Sequence, residues 1–122
     1  MAWTNHQLLE ALNHYEQECQ DAGLRPNSVH SYVDYSRRFC RWRVGDYRPR
    51  NASGPTHSRS NSPATTADLI ADLKAYELEL RSAGLQPQAV HTYVIHADQF
   101  VRWLDGRFEP GVNLGSGRSA RR

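Results

Sequence analysis

Only two cysteines stand among the 122 residues, and no apolar run approaches the roughly 18 residues that a membrane-spanning helix needs. The opening MAWTNHQLLE lacks the basic segment followed by an apolar one that marks a secretory signal. These absences lead us to expect a soluble, cytoplasmic protein with no membrane partner and no disulfide. Patterns that carry chemistry are missing too. The six histidines show no metal spacing, and neither cysteine stands in pattern with them. No glycine-rich phosphate loop, nucleophile elbow or convincing carboxylate pair occurs. The expectation is a protein that is not an enzyme and has no metal, cofactor or small-molecule substrate.

What is present is a duplication. HYEQECQDAGLRPNSVHSYVDYSRRFCRWRVGDYRP, residues 14–49, lies without a gap over AYELELRSAGLQPQAVHTYVIHADQFVRWLDGRFEP, residues 75–110, at an offset of 61 positions. Sixteen of the thirty-six columns are identical, including Tyr, Ala-Gly-Leu, Pro, Val-His, Phe and Arg-Trp. Two free-standing domains of about 45 residues are not expected, because units that small rarely bury enough surface alone. The copies should pack on each other. Cys19 and Cys40 align with Leu80 and Val101, which marks both as small buried apolar side chains.

Apolar residues at Leu8, Leu9, Leu12, Tyr15 and Cys19, and at Leu69, Ile70, Leu73, Tyr76 and Leu80, recur at helical period. Thr4 with Gln7 and Thr65 with Asp68 are capping-box starts. Gly23 and Gly84 can take the left-handed position that ends a helix, and Pro26 and Pro87 suit the first turn of the next. The second helices should run to about Arg43 and Leu104. Their buried stripes are Val29, Tyr32, Val33, Ser36, Phe39 and Cys40 in one copy, and Val90, Tyr93, Val94, Ala97, Phe100 and Val101 in the other.

The order of Leu, Tyr, Ala-Gly-Leu-x-Pro, Val, Tyr, Phe and Arg-Trp-Leu over residues 5–110 resembles the N-terminal core-binding, SAM-like domain of tyrosine recombinases and phage integrases. The first hairpin carries the likeness in Gly23-Leu24-Arg25-Pro26-Asn27-Ser28-Val29, Tyr32, Phe39 and Trp42. The chain departs from that pattern at Arg25 and Gln86, where the family has a capping Ser, and at Ser28 and Ala89, where it has Thr. Its connection between hairpins is also longer and more polar. The resemblance implies an all-α, four-helix SAM-like bundle made of two duplicated helical hairpins with approximate internal two-fold symmetry. The expected single domain spans residues 1–110: hairpin one at 4–44, a flexible basic linker at 45–65, and hairpin two at 66–105. A flexible basic tail covers 106–122. The family's catalytic domain is expected to be missing, since no tyrosine follows Tyr93.

A net charge of +2 conceals an uneven distribution. The second helix of copy one carries Arg37, Arg38, Arg41 and Arg43 against Asp34, whereas its counterpart has Arg102 against Asp98 and Asp105. At 100° per residue, His30, Asp34, Arg37 and Arg41 form one exposed stripe, and Ser31, Tyr35, Arg38 and Trp42 the next. Guanidinium groups with small polar donors near a helix start suit groove and phosphate contacts. In the resembled family these second helices enter the DNA groove. The candidate DNA contacts are Asn27, Ser28, His30, Ser31, Arg37, Arg38, Arg41, Arg43, Arg48 and Arg50, with Gln88, His91, Thr92 and Arg102 of copy two. Four to six phosphate contacts predict a salt slope of about −4 to −5. Arg59, Arg118, Arg121 and Arg122 add basic charge outside the helices.

A blander reading stays open, in which the arginines form a solvated face paired with the acidic first helix. Trp42 and Trp103 are read as sealing the core rather than stacking on bases, and Trp3 as covering the end of the bundle. The rival function is a helical protein-interaction or self-association scaffold that has lost DNA contact, with a homodimer as one outcome. Binding of single strands or RNA is a third.

Overall fold

The signals that bound the helices are local, and each does the work expected of it. In the computed structural model, which describes residues 2–51 and 63–110, four helices span Asn5–Asp21 (α1), Pro26–Arg43 (α2), Thr66–Ser82 (α3) and Pro87–Leu104 (α4). Thr4 Oγ1 accepts from the Gln7 N–H at 3.1 Å while Gln7 Oε1 accepts from the Thr4 N–H at 2.9 Å. Thr65 and Asp68 repeat that box at the start of α3. Neither α2 nor α4 has a side-chain cap: Arg25 and Gln86 occupy those positions, and the turn prolines begin the helices instead. Gly23 stands at φ +83°, where the Gly23 N–H reaches Gln20 O at 3.0 Å and the Leu24 N–H reaches Cys19 O at 3.4 Å. That pair of bonds closes α1 in a Schellman motif, which a residue with a Cβ would form at a cost.

Each helix buries most of the stripe its spacing predicts, with Ile70 of α3 exposed. Leu8, Leu12, Tyr15 and Cys19 of α1 meet Val29, Val33, Phe39 and Cys40 of α2 in one core with their counterparts from α3 and α4. Each fully buried Leu or Phe contributes about 1.5–3 kcal/mol relative to exposure. Tyr93 and Val94 are only half-buried, and Trp42 is fully buried. The Ser36 hydroxyl, on the core face, lies 2.7 Å from Tyr32 O and 3.2 Å from His96 O, so its burial leaves no unsatisfied group. Ala97 takes the same place in copy two.

The hairpins meet mainly along α2 and α4, which cross near Ser36 and His96 and run in opposite senses. Tyr35 packs on Tyr93 and His96, and Phe108, just past α4, packs on Tyr32 near the start of α2. Each hairpin also completes the other's aromatic core. The Tyr15 ring lies 5.3 Å from Phe100 and 5.0 Å from Trp103, while Tyr76 lies 5.4 Å from Phe39 and 5.0 Å from Trp42.

The sequence gave no sign of a small antiparallel ladder. Ala2–Trp3 (β1) pairs with Ala64–Thr65 (β2), Ala2 opposite Thr65 and Trp3 opposite Ala64. It sets the starts of α1 and α3 side by side and holds half-buried Trp3 against the core. Cys19 and Cys40 are free and buried, and burial pushes their thiols up to about 11 and about 12.

The hydroxyls of Tyr15 and Tyr76 are buried with no hydrogen-bond partner among the described residues, and burial drives both phenols well above their ordinary range. An unpartnered buried hydroxyl costs about 1–3 kcal/mol. Tyr15→Phe and Tyr76→Phe should therefore each preserve or raise the neutral-pH melting temperature. A folded-state pKa raised above the unfolded value of about 10 gives stability that is full below that pH and lost above it. The Phe variants should accordingly resist alkaline unfolding better than the parent. A loss of more than ~1 kcal/mol at neutral pH would mean that the hydroxyls do have partners.

Candidate nucleic-acid interface

Helical rotation places Asn27, Asp34 and Arg41, seven residues apart, on the line of α2 farthest from the core. His30 and Arg37 flank that line on one side, Ser31 and Arg38 on the other. Asn27, His30 and Arg41 are exposed, while Ser28, Ser31, Asp34, Arg37 and Arg38 are half-buried. Arg37 makes no ion pair among the described residues. Arg41 donates only to the Asp46 carbonyl, at 3.3 Å, across the end of its own helix.

The second expected stripe is not a free surface. Trp42, which the sequence marked as sealing the core, is 1% exposed, stacked on Phe39 and tilted against Tyr76. Arg38 is turned toward hairpin two: its Nη1 donates to the Tyr93 hydroxyl at 2.9 Å, and its guanidinium carbon lies 5.5 Å from the Tyr35 and Tyr93 ring centres and 6.0 Å from that of Tyr47. Its Nε lies 3.1 Å from Asp34 Oδ2.

Arg43 must be removed from the candidate contacts. Its Nε lies 2.7 Å from Asp72 Oδ2 of α3, with the two side chains 5% and 0% exposed. A guanidinium so enclosed cannot reach a phosphate without unfolding the end of α2. Arg48 is half-buried with its Nε 3.4 Å from Glu79 Oε2, so its charge is largely met within the fold. Arg50 is exposed, as are Gln88, His91 and Arg102 on α4, where Thr92 is half-buried. The Thr92 hydroxyl donates to Gln88 O at 3.0 Å, and Arg102 lies 2.7 Å from Asp98, so the α4 stripe carries no net charge. Arg59, Arg118, Arg121 and Arg122 lie outside the described residues.

Because α2 and α4 run in opposite senses, their starting turns lie on opposite sides of the crossing, each about 12 Å along its helix. The residues from Asn27 to Ser31 and those from Gln88 to Thr92 therefore form two separate sets. The paired acids of the first helix also have other engagements: His6 lies 3.4 Å from Glu10, and Glu18 accepts from the Trp103 indole at 3.1 Å. Asp21 accepts from the Gln17 amide at 3.0 Å, and no ion pair joins an α1 acid to an α2 arginine among the described residues. An open cleft of about 340 Å³ between α1 and α2 is lined by Glu16, Gln20, Leu24, Pro26, Val29 and His30. No group of three metal-binding side chains occurs among the described residues, and no described helix is long and apolar enough to cross a membrane.

Tyr47 and Asp72 carried no role in the sequence-based expectations, and Tyr93 stood there only as a core residue. The contacts of Tyr47 and Tyr93 with Arg38 form between the hairpins, beyond the reach of local spacing. Asp72 had a signal, since it interrupts the apolar stripe of α3 between Leu69 and Tyr76.

No protein-family model, curated protein or solved structure matches this chain. The site therefore stands on its own residues.

Proposed function

We propose that this chain is a non-enzymatic module that binds duplex DNA through the outer face of α2. The observation that supports this best is the division of the arginines. Arg38, Arg43, Arg48, Arg81, Arg102 and Arg107 each lie beside a carboxylate. Arg37 and Arg41, one turn apart, have no acidic partner among the described residues, and they share an exposed face with His30 and Asn27. An unneutralised pair of guanidinium groups on a helix that fits a major groove is suited to phosphate contact. The resemblance to recombinase core-binding domains, in which the second helix of a hairpin enters the groove, supports the same assignment.

The internal pairing lowers the number of available cations from that expected on sequence. Two or three phosphate contacts by the described residues give a slope of log affinity against log salt of about −2 to −3. A fluorescence-anisotropy titration with random duplex DNA at two salt concentrations measures it. Absence of binding at ~50 mM salt would remove the DNA reading.

A scaffold is the second reading, favoured by the outer face of α3. Leu78 is 69% exposed and Ile70 37%, amid exposed Ala67, Ala71 and Ala75, where α1 carries Gln17, Leu9, His6, Glu10 and His14. Light scattering on the eluting protein distinguishes a self-associated form from a monomer.

A further inference from the structure

The outermost line of α2 has a carboxylate at its centre. Asp34 lies midway between Asn27 and Arg41, each about 10 Å away along the helix. Any duplex docked on this face meets Asp34 near the middle of the contact. A carboxylate there repels phosphate, so a face that served only to grip a polyanion would do better without it.

The fold does not require this acid. The position in copy two is Ile95, and the arginine that holds Asp34 is there Gln99. Copy one instead surrounds one surface aspartate with a supporting assembly. Arg38 Nε engages Asp34 Oδ2 at 3.1 Å, and Arg38 Nη1 donates to the Tyr93 hydroxyl at 2.9 Å. Tyr35, Tyr47 and Tyr93 set their rings around the guanidinium. Through Arg38, residues from both hairpins fix the direction of the Asp34 carboxylate. The contact with Arg38 is made through Oδ2, and a carboxylate that accepts one such bond keeps acceptor capacity for another donor.

A fixed acceptor on a helix that enters the major groove has one favourable partner among the base edges it can meet without a competing acceptor. The cytosine amino group is a donor, while guanine presents two acceptors at O6 and N7. We propose that Asp34, positioned by Arg38 and the three tyrosines, is the residue by which this site selects sequence, accepting a hydrogen bond from the amino group of a cytosine. Arg37 and Arg41 then supply affinity and Asp34 supplies preference. This rests on the DNA reading above.

The test is selection from a randomised duplex pool, followed by anisotropy with enriched and scrambled duplexes, for the parent, Asp34→Asn and Arg38→Gln. The parent should enrich cytosine at one fixed position and prefer that duplex by about 5- to 100-fold. Asp34→Asn should abolish the preference while binding scrambled duplex as tightly as the parent or more tightly. Arg38→Gln, which keeps the carboxylate but copies Gln99, should weaken the preference with Asp34 still present. A purely structural role for Asp34 would alter melting and leave the preference ratio unchanged. If Asp34→Asn tightens binding to every duplex equally, or if the parent enriches no cytosine, the proposal is overturned while DNA binding stands. If the parent binds no duplex at ~50 mM salt, both fall together.

Discussion

Replacing Arg37 and Arg41 together by glutamate is expected to lower affinity for duplex DNA by ~200-fold or more at ~50 mM salt, with helix content and melting temperature unchanged. With a slope of about 0.9 per phosphate, counterion release at that salt is worth ~15-fold for each contact relative to molar salt, so two contacts multiply to ~200-fold. The reversed charges add repulsion to that loss. Stability should hold because neither side chain is tied to an acidic group among the described residues, and Arg41 loses only a long bond to the Asp46 carbonyl. Arg102, at the position of Arg41 in the other copy, provides the control. It lies beside Asp98, and Arg102→Glu should change affinity by no more than a few-fold if α2 alone faces the DNA. Equal losses from Arg102→Glu and the α2 double variant would show that binding has no preferred face.

The second large effect concerns stability. Arg43→Leu should cost about 3–5 kcal/mol, because it removes the guanidinium that faces the Asp72 carboxylate from a site where the two side chains are 5% and 0% exposed. That is a sizeable part of the roughly 5–15 kcal/mol that holds a domain of this size together. Arg43→Leu combined with Asp72→Ala should recover most of the loss. The reason lies within the chain: the residues equivalent to Arg43 and Asp72 are Leu104 and Ala11, so apolar side chains already stand at both counterpart positions. Replacing a buried ion pair by apolar groups is often neutral or better, whereas removing one partner is not. Denaturant unfolding of the four proteins in the cycle, with an unchanged slope, gives the coupling directly. A double variant as unstable as the sum of its single changes would show that the two side chains do not depend on each other.

The local part of this architecture was plain in the sequence. Capping boxes at Thr4 and Thr65, helix-ending Gly23 and Gly84, and helix-starting Pro26 and Pro87 each act within a few residues, so no knowledge of the rest of the fold was needed. The buried stripe of α2 was equally legible, down to Ser36, whose counterpart Ala97 shows the position to be internal. What could not be read was whatever depends on where the hairpins touch. Tyr35 and Arg38 looked exposed on a helical wheel because the wheel does not contain hairpin two, whereas Trp42, read as sealing the core, is buried as expected. Two-residue strands are too short to show any alternation. Arg43 was misassigned to the surface for the same reason, although the internal alignment held a usable hint. Two apolar positions, Leu104 of copy two and Ala11 of copy one, have counterparts of opposite charge, Arg43 and Asp72. Such paired differences mark partners in space. The outward stripe was legible at His30 and Arg41, which are exposed, while Arg37 beside them is half-buried.

The exchanged aromatic contacts carry a consequence for how such a chain can diversify. Tyr15 depends on Phe100 and Trp103, and Tyr76 on Phe39 and Trp42, so a lone hairpin with these residues has its core completed only by another hairpin. Two identical, unlinked hairpins could satisfy that need, but every change in one would then appear in both. A basic outer helix would be basic twice, and a buried arginine would need two aspartates. Joining the hairpins in one polypeptide removes that constraint. Arg43 and Asp72 can each occur once, and one half can carry a positive face while the other remains neutral or acidic. Covalent fusion thus turns a mutual dependence into room for a division of labour.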